Sequence, residues 1–231
     1  MTSEENASNE KGAFFNDPAI KEKYLGRVRA HRLADQIVHG VYWQNGKGCA
    51  VGCTVETSYY PHWRYPVELG IPEWLAYLED MIFESLPNDK ALSWPEKFLE
   101  AIPVGADLTL VRPRFLVWLL SDEKNGVLTL KDDNVKAAIN RIVSLLQKWI
   151  ETGERGDARE WHSAGEAAGK AANSGMWSAL DAAITAAWAA SNSVRAVAWA
   201  SRAAKKAWVV SEVQASKLLE LLRAQKRTGM D

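Results

Sequence analysis

Cysteine and histidine are scarce in this chain, at two and four of 231 residues. Two thiols close together cannot supply the disulfide framework of a stapled secreted fold, and they suit a reducing compartment. Long hydrophobic runs are missing too. The longest, Phe115 to Leu120, has the length of a core segment and falls far short of the ~20 apolar residues of a membrane helix. Met1 to Lys11 is rich in Ser, Asn and Glu and lacks the apolar centre of a signal peptide. Neither sign of charge dominates: 28 basic residues face 29 acidic ones, for a net charge of −1. That balance argues against specific or nonspecific nucleic-acid binding as the main role. Strand signals are few, and the full phosphate-loop pattern is absent around Gly46-Lys47-Gly48, which reads as a turn. What remains is a cytoplasmic, helical protein with no membrane segment.

Helical periodicity is abundant. Asp17 reads as an N-cap with Pro18 at the first helical position. A stripe of Ile20, Tyr24, Val28, His31, Ile37 and Val38 follows, and Gly40 is the expected C-cap. Residues 41–66 are rich in glycine, cysteine and aromatics, and both a short helix from Gly48 and a short strand over Cys49 to Glu56 stay open. Ile71, Trp74, Leu75, Leu78, Ile82, Phe83 and Leu86 mark a helix opened by Pro72. Ser93 with Glu96 predicts a capping box. Residues 115–130 read as a helix, with a hairpin around Asn125-Gly126 as competitor. Val135, Ala138, Ile139, Ile142, Val143, Leu146, Trp149 and Ile150 form the cleanest stripe in the chain.

Composition changes after Gly153 and Gly156. Asp157 to Trp208 holds 19 alanines in 52 positions, with Trp177, Trp188 and Trp199 eleven residues apart. Eleven residues are close to three helical turns, so one face repeats. The fold expected is mainly α: a multi-helix bundle with an Ala/Trp-rich C-terminal helical region and at most one short hairpin. It would comprise a disordered tail (1–16), a helical module (17–152) holding the Gly/Cys-rich segment 41–66, and an alanine-rich bundle (157–227) packed on it as one unit.

Chemistry concentrates around Cys49 and Cys53, with His39 before them and His62 after. Three readings compete. The preferred one is structural: two small buried hydrophobes in a glycine-rich segment. The second is zinc held by His39, Cys49, Cys53 and His62, a borderline-soft donor set that matches no finger spacing. The third is a cysteine enzyme, a hydrolase or acyl-transfer catalyst. There Cys49 would be the nucleophile, His39 or His62 its base, and Glu56 the group orienting the base. Glu79, Asp80 and Glu84 share a helical face and read as a solvated acidic surface. His162 reads as a surface residue, and the tryptophan stripe as core. Arg202, Lys205, Lys206 and Arg223 belong to no nucleic-acid reading motif. No cofactor is called for.

Two resemblances follow from these residues. HGVYWQNGKGCAVGCTVE, ELGIPEWLAYLEDMIFESLP and WPEKFLEAIPVGADL, within residues ~32–120, resemble a family of bacterial and phage hypothetical proteins. That resemblance implies no activity and supplies no site residues. Residues ~136–208 loosely resemble the alanine-rich helical domain of bacterial immunity proteins. The points of likeness are Ala137-Ala138-Ile139, Trp149 and Gly153, then Ala167-Ala168, Ala182-Ala183 and Ala186-Ala187. This implies a protein that binds and neutralises a protein partner without chemistry of its own. The function expected is therefore a non-enzymatic interaction protein. Its acidic middle (67–107) and basic end (from 192) would also suit a homodimer.

Overall fold

The computed structural model describes residues 12–126, 133–171, 200 and 211–228. Among them it holds ten α-helices and one 3-10 turn, with no strand. The chain is mainly helical, and no described helix is long and apolar enough to cross a membrane. The stripe of Trp177, Trp188 and Trp199, the immunity-like alanine pairs 182–183 and 186–187, and Arg202, Lys205 and Lys206 lie outside the described residues. So does 127–130, the second arm of the hairpin alternative; its first arm lies in a helix, Val111–Ser121.

Two compact units divide the chain: residues 1–109 with 218–231, and residues 110–217. The composition change at Gly153–Gly156 falls inside the second unit and marks the end of a helix. Gly153 has φ 74° and donates its N–H to Trp149 O at 2.9 Å.

The first unit begins earlier than the sequence suggests. Ala13–Asn16 form a 3-10 turn whose Phe14 is wholly buried. Its backbone is pinned by bonds from Ala13 N to Ala106 O and from Phe14 N to Leu69 O. Residues 12–16 are therefore an ordered turn and not part of the disordered tail, with Ala13 and Phe14 in the core because Phe14 has apolar surface to bury. Helix α1 (Pro18–Leu33) starts as expected, with Asp17 Oδ1 accepting from Ala19 N at 2.8 Å. It stops at Leu33 and not at Gly40, since Asp35 turns left-handed at φ 55° and Gln36 N folds back onto His31 O.

Next come α2 (Ala50–Val55), α3 (Pro61–Glu68), α4 (Glu73–Phe83), α5 (Asn88–Ala91) and α6 (Trp94–Ala101). Ser93 precedes α6 but makes no side-chain cap bond; its hydroxyl donates to Lys90 O. The expected capping box is absent because Glu96 is taken by Arg29 and Arg32 of α1. Arg29 also pairs with Glu100. Part of the acidic middle is thus neutralised inside the chain, which weakens the charge argument for a partner or a dimer.

In the second unit, α7 (Val111–Ser121), α8 (Asp133–Thr152) and α9 (Ala158–Ala171) follow, with α8 packed against both neighbours. Helix α10 (Ser211–Arg223) opens within the second unit's residues and ends within the first's.

Candidate functional site

The residues with chemistry gather in the first unit, around the start of α2. Val41 to Gly48 loops tightly before it. Asn45 and Gly46, at φ 50° and 77°, make the two-residue turn that joins Gln44 to Lys47, a geometry that asparagine and glycine favour. The loop then lies against α2 so closely that a Cβ on Gly52 would sit 1.3 Å from the Tyr42 carbonyl oxygen. Glycine at 52 lets the loop reach the helix, and the loop places Cys49 at the N-cap of α2, fully buried.

Helix α4 supplies the other half. The spacing of Tyr77, Asp80 and Glu84 puts them on one side of it. Cys49, Asp80 and Glu84 each offer a ligand atom, and the three atoms lie within 4.8 Å of one another. This is the only such group of three among the described residues. Asp80 is held from its far side: its Oδ2 accepts from His62 Nε2 at 3.0 Å. His62 is buried on α3 and stacks on Tyr77, with ring centroids 3.8 Å apart at 14°. Tyr42 meets the same imidazole edge-on at 5.3 Å. The other oxygen, Asp80 Oδ1, is buried and has no hydrogen-bond partner. Glu84 sits at the solvent edge and accepts from Gly40 N at 2.9 Å.

The electrostatics follow from this crowding. Burial raises the Cys49 thiol far above its ordinary range, and the Asp80 charge pushes the same way; the Gly52 N–H opposes them. Burial likewise raises Glu84, with Asp80 adding to it and the Gly40 N–H opposing it. Cys53 is pushed up to about 12 by burial. Its thiol donates to Gly48 O at 3.2 Å, inside the core.

The residues singled out from the sequence are therefore separated. Cys53 points to backbone carbonyls. His39 donates from Nε2 to Phe83 O at 3.1 Å. Glu56 orients neither His39 nor His62; its carboxylate faces His31 Nε2 at 3.0 Å and Arg27 Nε at 3.3 Å. His39, Cys49, Cys53 and His62 do not form one ligand cluster. The order of groups also differs from a cysteine-enzyme triad, where histidine stands between thiol and carboxylate. Here the carboxylate lies against the thiol and opposes its ionisation.

The acidic face of α4 is not the solvated surface that its sequence suggests. Glu79 is wholly buried, not solvated, and Asp80 is mostly buried. Glu79 Oε2 accepts from Tyr65 OH at 2.6 Å, and burial raises both groups well above their ordinary ranges. One signal was readable. Glu79 lies four residues after Leu75 and three before Ile82, inside the apolar stripe, where an acid needs a buried partner. His162, by contrast, is exposed, near Glu166.

No protein-family model, curated protein or solved structure matches this chain, so the site stands on its own geometry.

Proposed function

We propose that this chain is a zinc-stabilised helical protein, with the ion held by Cys49, Asp80 and Glu84, and not a thiol enzyme. The observation that carries this reading is the convergence of those three ligand atoms within 4.8 Å. A buried thiol and two carboxylates repel one another once ionised, and a divalent cation removes the repulsion and ionises the thiol outright. Thiolate favours zinc over magnesium or calcium. Zinc bonds sulfur at about 2.3 Å and oxygen at about 2.0–2.2 Å, so the three ligands would close by about an ångström. His62 fixes Asp80 by one oxygen and leaves the partnerless Oδ1 as the ligand, the usual role of an outer histidine or carboxylate. Glu84 faces solvent, so water completes the coordination. The ion would tie the glycine-rich loop to α4.

Protein purified without chelator is expected to carry one zinc per chain. Zinc in hundredfold excess over its dissociation constant should add about 2.7 kcal/mol of stability. Cys49→Ser and Asp80→Asn should each weaken binding at least a hundredfold, and His62→Gln about 10–100-fold. Cys53→Ser should leave binding unchanged. Metal-free protein that takes up no zinc, or Cys49→Ser binding as well as the parent, overturns the reading.

A partner-binding role without chemistry is compatible with a structural ion and is the second reading. The raised thiols favour it, because neither Cys49 nor Cys53 is activated as a nucleophile.

A further inference from the structure

We propose that Asn45 is a site of spontaneous deamidation in the folded chain, while Asn125, in a second Asn-Gly pair, is protected from it. The inference does not depend on zinc. The two pairs stand at 45–46 and 125–126. A side chain on the following residue obstructs ring closure onto asparagine, and glycine has none. Both pairs therefore share the same local susceptibility, and the fold separates them.

Asn45 and Gly46 are the central residues of a turn in which Gln44 N donates to Lys47 O at 2.8 Å and Lys47 N to Gln44 O at 3.0 Å. Asn45 is exposed. Neither its side chain nor the Gly46 N–H has a hydrogen bond among the described residues. The nearest atom to a Cβ built on Gly46 would be Gln36 Nε2, at 3.7 Å, so the peptide between the two residues has room to turn over. The backbone is also close to the form that the reaction needs. With φ 50° and 77°, the pair makes a type I′ turn. Turning its central peptide over gives a type II′ turn, in which the first residue keeps its positive φ while its ψ moves to about −120°. That rotation swings the Gly46 nitrogen round to Asn45 Cγ. Both turn types close a two-residue hairpin, so the bonds between Gln44 and Lys47 survive the change.

Asn125 is held in the opposite way. Its N–H and its Nδ2 both donate to Asp122 Oδ1, at 2.8 and 3.0 Å. The Gly126 N–H donates to Asp122 O at 2.8 Å, so the nitrogen that must attack is engaged. A Cβ on Gly126 would lie 2.5 Å from Asp122 N, so the backbone there is packed against the end of α7. Asn125 is not left-handed.

The chemistry needs only water and base. Gly46 N loses its proton to hydroxide, and its electron pair bonds to Asn45 Cγ. The Cγ–Nδ2 bond breaks, and ammonia leaves with a proton from water. Water then opens the resulting succinimide. Cleavage between the nitrogen and Cγ gives aspartate. Cleavage between the nitrogen and the main-chain carbonyl carbon gives isoaspartate, with the chain rerouted through Cγ. Either product adds a negative charge to the loop. Isoaspartate also adds one backbone atom, so the hairpin no longer closes on Gln44 and Lys47.

The test is incubation of the full chain at mildly alkaline pH, native and in urea. Peptide mapping then separates asparagine, aspartate and isoaspartate at both positions. In native protein Asn45 should convert at least about tenfold faster than Asn125, whose reaction waits for three hydrogen bonds to open. In urea the two rates should converge, chiefly because Asn125 speeds up. Equal native rates, a faster Asn125, or an Asn45 rate that rises on unfolding as much as that of Asn125 overturns the proposal.

Discussion

Helix α8 buries seven side chains, all apolar: Val135, Ala138, Ile139, Ile142, Val143, Leu146 and Trp149. Helix α4 also buries seven, and one of them is Glu79 beside Asp80. Both helices obey the 3.6-residue period. The first spends its whole buried face on packing. The second gives up part of that face to groups that cost free energy to bury unless a partner compensates them. Glu79 finds one partner in Tyr65, Asp80 finds one in His62, and each keeps one buried oxygen without any. A fold selected only for stability would place apolar residues there. Departures of this kind gather where a chain does something besides fold.

Several measurements sharpen or break this contrast. The largest effect belongs to α8. Ile142→Ala should cost about 2–5 kcal/mol in urea unfolding, the price of a cavity under a well-packed stripe. In α4, Glu79→Ala should cost about 1–3 kcal/mol, because it leaves the Tyr65 hydroxyl buried without an acceptor. Glu79→Gln keeps an acceptor and should cost distinctly less. Equal losses in the two Glu79 variants would show that the Tyr65 bond contributes nothing and that α4 is merely a poorer α8.

Dependence on pH gives a smaller but more specific signature. Glu79 holds its proton more tightly folded than unfolded. Its contribution to stability is therefore complete below the ordinary glutamate range and is lost as pH rises through and beyond it. Glu79→Gln should flatten that decline. In metal-free protein Cys49 has the same sign in the alkaline range, because its folded thiol is also raised. Cys49→Ala should remove a second decline that begins at the ordinary cysteine range. No variant of the buried α8 stripe changes either slope, since none of its side chains titrates. Persistence of the acid-side slope in Glu79→Gln would move its origin to another group.

The smallest effect is kinetic. Both thiols should react with iodoacetamide only as fast as the first unit opens. Zinc should slow Cys49 further and leave Cys53 unchanged. Rapid modification of Cys49 in the native, zinc-loaded protein would contradict the ligand assignment.

Much of the helical skeleton was legible. Asp17-Pro18 set the start of α1, the apolar repeats located α4 and α8, and Gly46-Lys47-Gly48 pointed to a turn. Local rules failed where a more distant partner intervened. Gly40 did not end α1, because Gln36 had already folded back onto His31. The Ser93 cap did not form, because Glu96 reached Arg29 and Arg32 across 60 or so residues of chain.

Spacing along the chain fixes which residues lie on one side of each helix, because backbone geometry sets that locally. It thereby placed Asp80 and Glu84 together, and left Cys49 open between a helix start and a strand. What covers each side came from packing between elements. Helix α3 lies over Tyr77 and Asp80, and the loop closes on Gly52, so the Cys49 thiol joins Asp80 and Glu84 in a ligand group that leaves out His39 and Cys53. Those contacts join separate elements, and which side a neighbour covers is settled by packing, which no local period encodes.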